Sequence, residues 1–234
     1  MKERLKQGLE QMNLPADGET LARFDAYAEF LVSYNEKVNL TSITEPLEIV
    51  EKHFLDSAAP QGLIPKGSRV IDVGTGAGFP GLPLRIVRPD LQLTLLDSLE
   101  KRVRFLEEAC QIMNLDGAAA LHARAEDAAR DPALREQFDA AVSRAVANLR
   151  VLCEYCLPFV RVGGLFLAWK GPGAEEEGKE CEKALRTLGG ELSAILPLDI
   201  PGTELDHRVV VIKKVRQTPA GYPRKAGKPT KNPL

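Results

Sequence analysis

The sequence predicts an α/β protein: a doubly wound, mostly parallel seven-stranded sheet with an N-terminal helical extension. Three observations carry that expectation. Short apolar runs alternate with helical patterns from Arg69 onward, as βαβ units require. Most of those runs are continuously apolar, which suits strands covered on both faces. A glycine-dense turn, "VIDVGTGAGFPGLPL" (70–84), follows the first run directly.

The first 64 residues read as the helical extension. Leu21, Phe24, Ala28, Leu31 and Tyr34 recur at three- and four-residue steps and mark an amphipathic face. A second helix is expected after Thr44, with Pro46 in its first turn and Leu47, Val50, Phe54 and Leu55 on one side. The stretch "GLIPKGS" (62–68) then breaks the pattern. The sheet-forming unit follows at 65–216. Its expected strands are 69–73, 91–97, 118–123, 138–143, 164–169, 192–198 and 208–215, with the clearest helix at 99–113. The acidic run "EEEGKECEK" (175–183) reads as a solvated helix face.

Residues 217–234 form a third segment, a tail rich in Pro and Gly. The chain carries a net charge of −2. Lys213–Leu234 holds seven basic residues and no acidic one, so a tail at +7 leaves −9 on the rest. A basic, extended terminus suits phosphate contact; a merely solubilising end competes with that reading. No apolar run approaches the roughly 20 residues of a membrane span, and the charged N-terminus does not resemble a signal peptide. A cytoplasmic, monomeric protein without a membrane partner is expected. Cys153 and Cys156 lie in the apolar "VLCEYCLPF" with no second pair and no nearby histidines. They read as buried thiols in preference to a metal or redox site, and no metal is expected.

The glycines point to a ligand. Gly74 falls immediately after the first strand and makes the tight turn. Gly76 and Gly78 permit close backbone approach, giving D-x-G-x-G-x-G from Asp72. A dinucleotide frame on Gly76, Gly78 and Gly81 starts too late, and Pro80 has no N–H to offer a pyrophosphate. Asp97 ends the second strand about twenty residues on, where a carboxylate accepts from ribose hydroxyls; capping the next helix is its alternative role. "RAED" places Ala125, Glu126 and Asp127 at the same sheet edge, beside an adenine. Asp72 faces the methionine end of a cofactor or orients the loop. Together these favour adenosylmethionine over a nicotinamide dinucleotide.

Several stretches then carry a resemblance across nearly the whole chain: "YNEKVNLTSI" (34–43), "HFLDS" (53–57), the glycine turn, "LLDSLEKRVRFL" (95–106), "SRAVANL" (143–149), "WKG" (169–171) and "YPRKAGKPTKNPL" (222–234). The sequence resembles the family first called glucose-inhibited division protein B, the ribosomal RNA small-subunit methyltransferases G. The resemblance implies a Rossmann-like class I methyltransferase. It implies methyl transfer from S-adenosyl-L-methionine to N7 of a guanine in small-subunit (16S) ribosomal RNA, leaving S-adenosyl-L-homocysteine, with the RNA or the 30S subunit as partner. By motif it assigns Gly74, Phe79, Ala125, Glu126 and Arg144 to the cofactor, with Asp97 near the ribose. Ala77 stands where some relatives have Pro.

N7 of guanine bears a lone pair and no proton, so transfer needs placement and dry surroundings, not a general base. Arg144 and Lys170, at the ends of the fourth and fifth strands, are expected to contact phosphates, O6 or the cofactor. For Arg144, an ion pair with Glu126 is the competing role. His53 is a candidate for capping or RNA contact, with a structural role as its competitor. Asn39, Ser143, Arg224, Lys225 and Lys228 are candidate RNA contacts. Trp169 is a candidate to stack on a base, or to be core. Removing 217–234 is expected to weaken RNA binding and spare cofactor binding. A methyltransferase-fold enzyme for a small molecule or protein is the alternative.

Overall fold

A computed structural model describes residues 1–234. Seven strands form one sheet in the order β3-β2-β1-β4-β5-β7-β6. They are β1 (Arg69–Val73), β2 (Gln92–Asp97), β3 (Ala118–His122), β4 (Phe138–Arg144), β5 (Val160–Lys170), β6 (Gly190–Pro197) and β7 (Arg208–Lys214). β1 through β5 pair in parallel, and β7 runs antiparallel between β5 and β6. The chain winds outward in opposite directions from β1 and β4. Their shared C-terminal edge is therefore the switch point where such sheets bind ligands.

The expected strands all form, with β5 beginning four residues early. Its first half carries Gly163 and Gly164, where a Cβ on Gly164 would meet the Asp139 carbonyl at 2.5 Å. The helix Glu100–Ile112 packs Val103, Phe105, Leu106 and Ala109 inward, as its periodicity predicts.

At the N-terminus, helices Lys2–Gln11 and Gly18–Val38 precede a continuous helical stretch at 46–58. Asp17 caps the second helix through the Glu19 and Thr20 amides. In the third, Ile49–Leu55 is π-helical, a wide turn that recurs near functional sites. Phe24, Tyr27 and Phe54 from these helices are fully buried and join Phe79 of the glycine turn in one core. The extension thus packs directly under the turn: the Tyr27 hydroxyl donates to the Ala77 carbonyl.

The tail is not an extended appendage. Thr218 is buried, donating from Oγ1 to the Leu188 carbonyl and from its amide to Glu136. Lys214, fully buried on β7, donates to Thr218 Oγ1 and to the carbonyls of Leu157 and Val160. Arg135 holds the carbonyls of Thr218 and Tyr222. Arg224 forms a two-point ion pair with Glu154, which is itself fully buried. A short helix, Lys228–Lys231, ends the fold.

Candidate functional site

A cavity of about 590 Å³ opens at the C-terminal edge of β1, β2 and β4. Its floor is the glycine turn. Gly74 and Thr75 donate to the Leu96 carbonyl, which fastens the turn to β2. Gly76 has φ +61° and nothing within 4 Å of where a Cβ would lie, so the bare backbone faces open space. Asp97 lies beneath it, 3% exposed. One carboxylate oxygen accepts from the Gly76 amide at 3.0 Å and the other from Leu99 at 2.9 Å. Arg102 also reaches the Gly76-bonded oxygen, at 3.4 Å, so the Leu99-bonded oxygen is the one that keeps a lone pair, and the ribose and capping roles expected for Asp97 are compatible through it.

Asp72 is not on the cavity wall. It is fully buried beneath the turn, where one oxygen accepts from Thr75 Oγ1 at 2.7 Å and the Gly81 amide at 2.8 Å. Its other oxygen has no partner. Burial, outweighing those hydrogen bonds, raises its pKa to about 7. Of the two roles expected for Asp72, orienting the loop is the one this geometry serves. Gly81 is required at that contact: a Cβ there would lie 2.7 Å from the Asp72 carboxylate.

The remaining wall brings together Phe79, Ala125, Glu126 and Arg144. Glu126 accepts from the Gly227 amide at 3.1 Å, and Gly227 and Thr230 line the cavity. The tail therefore forms part of the cavity wall, so its removal, expected from sequence to spare the cofactor, would open the cavity on that side. Lys225 and Lys228 point to solvent beside it.

Arg144 does not pair with Glu126. Its guanidinium donates to Asp56 at 2.8 Å, to the Lys52 carbonyl at 2.9 Å and to His53 Nδ1 at 2.9 Å, and lies 5.0 Å from the Phe79 ring centroid. His53 stacks on Phe79 at 4.2 Å, and its Nε2 is 3.0 Å from Thr41 Oγ1. Guanidinium has only donors. Nδ1 is therefore the acceptor, and the proton sits on Nε2, directed at Thr41. Burial and then the Arg144 charge lower the His53 pKa to about 3. Asn35 fixes Thr41 by bonding the amides of Leu40 and Thr41. Asn39 is exposed at the end of the helix Gly18–Val38.

Other expected contacts are engaged elsewhere. Lys170 donates to the Ala147 carbonyl at 2.7 Å and pairs with Glu177 at 2.8 Å, clamping the loop after β4. Glu177 also accepts from the Leu149 amide, so the acidic run is more than a solvated face. Ser143 is fully buried and ties β4 to β1 through the Val73 carbonyl. Arg224 is spent on Glu154. None of the three is free to meet RNA in this arrangement. Cys153 and Cys156 are buried free thiols, and Trp169 is core, donating to the Asp56 carbonyl.

A second cavity, about 460 Å³, adjoins the first and shares His53, Arg144 and Ala145 with it. Asp56 and His207 lie on its wall, with His207 Nδ1 2.7 Å from Asp56 Oδ1. In the sequence His207 has no evident partner; the fold supplies Asp56. They stand 151 positions apart, and no local pattern joins them.

The sheet order, the turn on Gly76 and the carboxylate of Asp97 define a Rossmann-like class I methyltransferase. Solved structures share that architecture. An Aquifex aeolicus SAM-dependent methyltransferase matches with a TM-score of 0.53 at 17% identity, covering 79% of this chain and 98% of that one. M. jannaschii TYW2, solved in complex with AdoMet, matches with a TM-score of 0.55 at 13% identity, covering 74% and 80%. The family model described as rRNA small subunit methyltransferase G matches residues 20–203. The chain belongs to that family. Curated relatives named ribosomal RNA small subunit methyltransferase G include that of Alkaliphilus oremlandii (strain OhILAs), 47% identical over all of this chain and 99% of its own length. That of Clostridium botulinum (strain Eklund 17B / Type B) is 50% identical over 96% and 95%.

The residues present fit adenosylmethionine. The unfilled space over Gly76, the remaining lone pair on the Leu99-bonded oxygen of Asp97 and the Phe79 ring supply backbone room, a ribose acceptor and an apolar wall. No helix is long and apolar enough to cross a membrane.

Proposed function

We propose that this protein transfers a methyl group from S-adenosylmethionine to N7 of a guanine in small-subunit ribosomal RNA. Asp97 accepts from a ribose hydroxyl, Ala125 and Glu126 flank the adenine, and the Gly74–Ala77 backbone lies along the rest of the cofactor. Gly78, expected to approach the ligand, instead faces Leu82 and Tyr27, where a Cβ would lie within 2.6 Å of each. Bound adenosylmethionine supplies an electrophilic methyl on its sulfonium. Phe79 and Arg144 wall the methyl-bearing end and exclude water. Asn39, Lys225 and Lys228 are the candidate contacts to RNA phosphates.

One observation carries the choice of N7. The imidazole of His53, in the wall of the pocket itself, has its lone pair held by Arg144, 2.9 Å away, and cannot take a proton. An acceptor atom that arrives without a proton suits such a site; an amine or hydroxyl that must lose one does not. Labelled adenosylmethionine and purified small ribosomal subunits test the reading. Label is expected as N7-methylguanosine after digestion, and cells lacking the protein should lose that nucleoside. Transfer to a small molecule or protein instead would overturn it.

A further inference from the structure

Adenine carries the same bare N7 as guanine, so attack through N7 does not choose the base. The two differ at the adjacent exocyclic position, an oxygen acceptor in guanine and an amino donor in adenine. A guanine-specific site therefore needs a donor that meets O6 while leaving N7 free.

The second cavity lies where such a base would sit, against the methyl-bearing end of the first and sharing Arg144 with it. Most of its donors are already engaged. Arg144 is divided among Asp56, His53 and the Lys52 carbonyl. Lys170 is held by Ala147 and Glu177. Lys52 pairs with Glu48, and the Trp169 N–H is on the Asp56 carbonyl. His207 differs. Its Nδ1 is fixed by Asp56 at 2.7 Å, while its Nε2 makes no hydrogen bond and its side chain is 35% exposed. Antiparallel pairing of Lys170 with Arg208 brings the start of β7 to the end of β5, which sets His207 on the ligand edge.

We propose that His207, oriented by Asp56, reads the target guanine by donating from Nε2 to O6, which turns N7 toward the cofactor and rejects the amino group of adenine. The inference rests on the guanine-N7 reading above. Donation from Nε2 requires the imidazolium. The hydrogen bond and charge of Asp56 favour it, and Asp206 adds to them. Burial and the facing Arg144 oppose it, and the balance lies above the ordinary histidine value. Lys52 and Lys170 also line the cavity, with His53, which is neutral.

The test uses full-length His207→Ala and His207→Gln with small ribosomal subunits that lack the modification. His207→Ala is expected to lower kcat/KM by about 10- to 100-fold, the worth of one charged hydrogen bond, with adenosylhomocysteine affinity unchanged. His207→Gln keeps an N–H donor and should recover part of the loss. The wild-type fall of kcat/KM at alkaline pH should flatten in that variant. Unchanged kcat/KM in His207→Ala overturns the proposal. So does an equal loss in both variants accompanied by weaker adenosylhomocysteine binding, which marks a structural role. If the wild type transfers no methyl to the subunits, the N7 reading fails instead.

Discussion

Arg144 Nη2 lies 2.9 Å from His53 Nδ1, and through that contact one end of β4 sets the protonation state of a histidine in the N-terminal extension. The same guanidinium reaches Asp56, one helical turn further along. The π-helical turn carrying His53 is thereby locked to the sheet edge, with Phe79 under the ring.

His53 titrates near pH 3 in the fold and near 6.5 when unfolded. The unfolded chain therefore binds the extra proton between those values, and stability from this group is lost as pH falls below 6.5. At pH 5 the loss is on the order of 2 kcal/mol. His53→Asn, whose amide oxygen can accept from Arg144, should remove that slope. Urea unfolding at pH 7 and pH 5 measures it, and an unchanged pH dependence in the variant contradicts it.

Asp72 has the opposite slope. Its pKa of about 7 exceeds the unfolded 3.8, so the fold holds a proton that the unfolded chain gives up. Stability falls as pH rises from about 4 to 7 and levels above. The two slopes offset each other in the wild type. Asp72→Asn should therefore steepen the acid-side loss, and the same unfolding series detects it.

Asp97→Asn should weaken adenosylhomocysteine binding about 10- to 100-fold, since it replaces charge-assisted acceptors of ribose and backbone donors. Calorimetry measures this directly. Unaltered affinity would remove Asp97 from the cofactor.

Deleting 217–234 should abolish cofactor binding along with RNA binding. The deletion strips the Gly227 donor from Glu126 and leaves Glu154 as a buried, unpaired charge, a loss of about 3–5 kcal/mol. Replacing Lys225 and Lys228 by alanine is the milder change. It should leave adenosylhomocysteine affinity intact while lowering the magnitude of the RNA salt slope by roughly 2. Cofactor affinity and salt-dependent RNA binding, measured side by side, separate the two effects.

The sheet was legible because its signals are local. The apolar runs at 69–73 and 138–143 and the turn after Val73 each announce themselves within a few residues. Asp97 was legible for the same reason, by its distance from the glycines. The network around Arg144 was not. Its partners Asp56 and His53 lie 88 and 91 positions away, and only the packed fold decides between them and Glu126. Lys170, Ser143 and Arg224 sat at promising positions, but their polar atoms were claimed by Glu177, Val73 and Glu154. Composition made the tail look unfolded. Its order comes from carbonyls and carboxylates of other segments meeting Thr218, Arg224 and Gly227.

Contact between Gly227 and Glu126 also has a temporal side. A ribosome making this chain finishes every strand of the sheet before it reaches residue 218. A nascent polypeptide halted between β7 and Gly227 would contain the residues of all seven strands and lack one side of its ligand chamber. If the methyl donor binds in that chamber, competence to take it up arrives late in synthesis, after the residues of the sheet that surrounds it.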